Sequence, residues 1–67
     1  KSHVTMRIYD VSGRSIRTLV NKILPGGKHQ AMWDGKDKAG RNAASNIYFC
    51  RLQIGSFTST ERLILLR

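Results

Sequence analysis

The stretch IYFCRLQIGSFTSTERLILLR, residues 47–67, decides the fold. Tyr48, Cys50, Leu52 and Ile54 alternate with residues that include Arg51 and Gln53. A period of two is the mark of a strand with one apolar and one wet face. Gly55 and Ser56 then separate this run from Phe57–Leu66. A two-residue Gly-Ser connection fits a type II′ hairpin, which asks for positive φ at its first central residue, Gly55. The returning strand is polar from Thr58 to Arg62 and apolar on both faces from Leu63 to Leu66. Its end is therefore expected to be covered on two sides, and Leu63, Ile64, Leu65 and Leu66 form a candidate interaction edge.

Moving outward, the same alternation recurs. In His3–Tyr9, Val4, Met6 and Ile8 share a face opposite Thr5, Arg7 and Tyr9. Asp10–Gly13 reads as a turn in which the Asp10 carboxylate accepts from the backbone two residues on. Ser15–Val20 returns, and Leu24, Pro25, Gly26 and Gly27 break the pattern. Lys28–Trp33 alternates again, which predicts a third strand. Asp34–Ser45 is rich in Gly, Asp, Lys, Arg and Asn and is the longest loop, with Asn46 suited to a left-handed conformation at its exit. Short strands with turn signals about every ten residues predict an all-β sandwich or barrel.

Composition bounds the function. A chain of 67 residues is a single domain, close to the size at which a core alone is barely sufficient. Its only cysteine, Cys50, excludes an internal disulfide, and its position in an apolar run makes it a small core side chain. The net charge of +8 would attract polyanions. A basic polyanion- or nucleic-acid-binding β domain is therefore the alternative reading, opposed by the scatter of the basic residues. No run approaches the roughly 18 apolar residues of a membrane span, and no signal peptide is legible.

No catalytic set is legible. The only histidines, His3 and His29, lack a nucleophile motif nearby, and one cysteine with two separated histidines does not make a zinc site. Asp34 and Asp37 are a superficial calcium candidate, but lysines intervene and no acidic residue closes the loop. Their expected role is to accept backbone N–H bonds while Gly35 and Gly40 supply positive φ. Trp33 is expected to be a core anchor, largely buried between sheets, with Tyr48 a second anchor. No cofactor is implied.

VTMRIYDVSGRSIRTLV (4–20), the segment 25–40 with His29, Trp33, Asp34, Gly35, Asp37 and Gly40, IYFCRL (47–52) and the ending ERLILLR together resemble one family. It is the C-terminal sorting domain of type IX secretion substrates, closely similar to the Ig-like domain of the flagellar hook-assembly (hook-capping) protein. The resemblance implies a small Ig-like, fibronectin-like antiparallel β-sandwich of about five strands, whose usual first strand is missing here. It implies a non-enzymatic C-terminal module of a larger secreted or cell-surface bacterial protein, acting by protein contacts in sorting, anchoring or extracellular assembly. The secretion machinery, and upstream domains or neighbouring subunits adding a strand to the sheet, are the partners it implies.

Overall fold

The computed structural model describes residues 2–26 and 31–67. Four strands form, β1 (Ser2–Tyr9), β2 (Ser15–Leu24), β3 (Asn46–Ile54) and β4 (Phe57–Leu65). They make one open antiparallel sheet in the order β2-β1-β3-β4. The chain is thus all-β, with the described residues forming one layer of a small Ig-like sandwich.

The apolar alternation sets the register. Val4, Met6 and Ile8 of β1 stand opposite Ile54, Leu52 and Cys50 of β3, so one face is continuous across the two central strands. Directly opposed side chains are the unit of sheet stabilisation. Val4 and Ile8 are buried, as is Tyr48 on β3. The hairpin between β3 and β4 pairs Ile54 with Phe57, leaving Gly55 and Ser56 as its loop. Gly55 has φ 57°, and no residue other than glycine has positive φ among those described. Positive φ at the first loop residue alone is the type II′ pattern.

β2 runs four residues past the expected end at Val20, because Leu24 pairs with Ser2 and Ile23 with His3. Two bulges shift its register against β1, one between Met6 and Arg7 and one between Ile8 and Tyr9. The extra residues are Leu19 and Ile16. A bulge re-aims the side chains around it, and Leu19 joins Met6 and Ile8 on the apolar side.

β2 and β3 flank β1 and run in the same direction, so the chain must return from one end of the sheet to the other between Leu24 and Asn46. That return changes the expected third strand. Residues 28–30 of Lys28–Trp33 lie outside the described residues, and Ala31–Trp33 is not in a strand. It crosses the apolar face instead, where Ala31, Met32 and Trp33 line one groove with Met6 and Ile8. Trp33 is accordingly half-buried rather than enclosed between two sheets. Asn46 begins β3 without positive φ, its Oδ1 accepting from the Ile47 N–H at 2.7 Å. The last strand stops at Leu65, with Leu66 83% exposed beyond it.

Candidate functional site

The loops at one end of the sheet are built from one device used twice. In Asp10–Arg14 the Asp10 Oδ1 accepts from the N–H groups of Ser12 and Arg14, both at 3.0 Å. In Asp37–Arg41 the Asp37 Oδ1 accepts from Ala39 at 2.9 Å and Arg41 at 3.0 Å. Each aspartate N–H donates to the carbonyl of its arginine, and each glycine N–H, of Gly13 or Gly40, donates back to its aspartate carbonyl. Each arginine Nε closes the turn on Oδ2, at 3.3 Å for Arg14 and 3.2 Å for Arg41. The shared pattern D-x-[SA]-G-R was visible in the sequence and is the signal by which the second turn could have been found.

Donors around a carboxylate favour its charged form. The Ser12 hydroxyl, then the Arg14 N–H, hold the Asp10 carboxyl at about 2. The Arg41 N–H lowers Asp37, and the Lys36 N–H lowers Asp34, with Arg17 adding to the latter. Asp34 Oδ1 accepts from the Lys36 N–H and from Arg17 Nη1, both at 3.0 Å. The oxygens offered as calcium ligands thus face N–H donors. Among the described residues no group of three or more His, Cys, Asp or Glu side chains is gathered.

The remaining anchors fix the Asp34–Ser45 loop to the sheet. Trp33 meets the Tyr48 ring edge-on, centroids 5.1 Å apart, and its Nε1 donates to the Lys36 carbonyl at 2.9 Å. The Tyr48 hydroxyl donates to the Ala44 carbonyl at 2.7 Å. Gly35 is buried with φ 76°. Arg67, the last residue of the ERLILLR ending, donates to the carbonyl of Ala43 at 2.6 Å through Nε and to that of Gly35 through Nη2. The loop is also tied to β2, where the Lys38 N–H donates to the Ile16 carbonyl freed by the second bulge.

What remains is a sheet with two unlike faces. One is the groove face, where Met6, Leu19, Leu52, Leu63 and Leu65 lie around the crossing segment. Cys50 and Glu61 oppose each other on it; burial pushes the thiol up, and the Glu61 charge adds to that. On the last strand Leu63 and Leu65 are half-buried, while Ile64 on the other face is 67% exposed. The opposite face carries Arg7, Tyr9, Phe49, Arg51 and Arg62. His3 is engaged with the Asn21 amide oxygen at 2.6 Å, and His29 lies outside the described residues. No helix of the described residues is long and apolar enough to cross a membrane.

A single-layer antiparallel sheet with braced end loops and broad faces is the frame of an Ig-like contact module. Comparison with known families agrees, and the chain belongs to the family of FlgD Ig-like domains, which it matches over residues 1–54. This is the hook-assembly side of the resemblance, and the family is one of structural and assembly modules. β4, the Gly55 hairpin and Arg67 lie beyond the matched range. No curated protein and no solved structure matches the chain.

Proposed function

We propose that this chain is a non-catalytic module that acts by protein–protein contact in assembly of the flagellar hook, through the groove face of its sheet. The observation that carries the reading is that face itself. Met6, Leu52, Leu63 and Leu65 stay only half-buried along an open groove. Apolar area gains about 25 cal/mol per Å² on leaving water, so a further layer laid there has a driving force. β2 and β4 are the edge strands of the sheet, where an upstream segment of the same polypeptide or a neighbouring subunit would add a strand. Family membership supports assembly rather than chemistry.

A second reading, sorting by the secretion machinery with a secreted or cell-surface destination, rests on the resemblance of ERLILLR and the preceding motifs to sorting domains. Removing residues 1–67 from the parent protein separates the two. Loss of hook assembly with export intact is the expected result, loss of export favours sorting, and preservation of both overturns the contact reading. Met32→Asp, at a 93% exposed position lining the groove, should impair assembly without lowering the melting temperature.

A further inference from the structure

The face opposite the groove carries a charge arrangement that the sheet itself does not need. Arg7 on β1 stands directly opposite Arg51 on β3. One step along, Tyr9 stands opposite Phe49, and Phe49 opposite Arg62 on β4. Alternate residues of a strand share a face, so three arginines and two aromatics form one patch over three adjacent strands. Like charges directly opposed in a sheet are destabilising. The chain has four acidic residues, and none relieves this patch. Asp10, Asp34 and Asp37 are bonded to Arg14, Arg17 and Arg41 in the end loops, and Glu61 lies on the groove face opposite Cys50. Arg7, Arg51 and Arg62 have no ion-pair partner among the described residues.

We infer that this face docks an acidic protein segment, whose carboxylates take the forks of Arg7, Arg51 and Arg62 while Tyr9 and Phe49 supply the apolar contact. The patch contains arginine and no lysine, and the guanidinium fork matches a carboxylate in two parallel hydrogen bonds. Arginine and aromatic residues are also the side chains on which protein interfaces concentrate their energy. A single-stranded nucleic acid would need open aromatic faces for its bases. Here Arg51 already stands over the Tyr9 ring, its Cζ 5.3 Å from the centroid, and both rings are half-buried. The inference deepens the contact reading above and rests on it, adding a second face and the chemistry of its partner.

The test measures binding of the 67-residue chain to poly-L-glutamate and to a poly-dT strand of matched length by titration calorimetry at physiological ionic strength. Binding to poly-L-glutamate should weaken about tenfold in the triple variant Arg7→Gln/Arg51→Gln/Arg62→Gln, the sum expected of three exposed pairs. The variant Lys22→Gln/Lys36→Gln/Lys38→Gln, with the same change in net charge, should bind as the parent does. If the triple variant does not fold, Arg62→Gln alone, at an exposed position, should still weaken binding about twofold. Equal losses in the arginine and lysine variants, tighter binding of poly-dT, or no binding of poly-L-glutamate each overturn the inference. Hook assembly that fails with Met32→Asp while poly-L-glutamate does not bind removes this inference and leaves the assembly reading in place. Hook assembly that survives deletion of residues 1–67 removes the assembly reading itself.

Discussion

Arg67 and Gly35 hold each other in place: the Arg67 guanidinium donates to the Gly35 carbonyl, and a Cβ built on Gly35 would stand 2.8 Å from the same Nη2. The Gly35 carbonyl also accepts from the Ala43 N–H at 2.9 Å, so one backbone oxygen joins the loop to itself and to the end of the chain. Gly35→Ala should therefore destabilise for two reasons, the positive φ, at about 1–2 kcal/mol, and displacement of the guanidinium. Arg67→Ala alone should cost about 1–2 kcal/mol. In the Arg67→Ala background the cost of Gly35→Ala should shrink to its backbone part, a coupling that a double-mutant cycle by urea denaturation measures. Strictly additive effects would contradict the clamp.

Gly55 isolates the backbone effect. It has φ 57°, and nothing lies within 4 Å of the point a Cβ would occupy, so a side chain there meets strain without collision. Gly55→Val should cost about 1 kcal/mol or more, and Gly55→Asn less, because asparagine tolerates left-handed backbone better than a β-branched residue. Equal melting temperatures for the two variants would contradict the turn assignment.

The twin aspartate turns predict how the chain responds to acid. A carboxylate whose pKa is depressed in the folded state contributes stability above its unfolded value, and that contribution is lost as pH falls through the folded value. For Asp10 the window runs from 3.8 down to about 2. Stability measured by thermal melts should fall across this interval, with Asp34 and Asp37 adding in the same direction. Asp10→Asn should be less stable than the parent near neutral pH, and the gap should close as pH approaches 2. A gap that stays constant would separate Asp10 from the acid transition.

Trp33 should behave as a half-buried residue. Trp33→Ala is expected to cost about 2–3 kcal/mol, below the range of about 3–5 for a fully buried large aromatic. Trp33→Phe removes the donor to the Lys36 carbonyl, which keeps Arg17 Nη1 at 3.1 Å, together with part of the ring area, so about 1–2 kcal/mol is expected. Acrylamide quenching of the single tryptophan should lie between that of the native-core and free-indole limits. Quenching at the free-indole limit would contradict its contact with Tyr48.

Local chemistry was legible in the chain because its causes are local. The alternation of Val4, Met6 and Ile8 and of Tyr48, Cys50, Leu52 and Ile54 requires strands wherever those residues pair. The Gly55-Ser56 connection, with its neighbours Ile54 and Phe57, restricts the hairpin to the few loops that match strand twist. Asp34 and Asp37 lie beside the N–H groups they accept from, two to four residues away. These features depend on side-chain periodicity and on φ preferences, which the sequence alone determines.

Only the tertiary structure decided which strands are neighbours and what crosses between them. That β1 lies between β2 and β3 means the chain must return along the sheet after Leu24, and this return, not the alternation of Lys28–Trp33, fixes Ala31–Trp33 as a crossing segment. The pairing of Ser2 with Leu24 lengthens β2 past the point where its own pattern weakens. Arg67 reaches Gly35 across 32 positions of sequence, and Arg7 meets Arg51 only because β1 and β3 adopt one register. No local preference encodes such contacts, since each exists only after loop closure brings distant segments together and their pairing offsets the lost chain entropy.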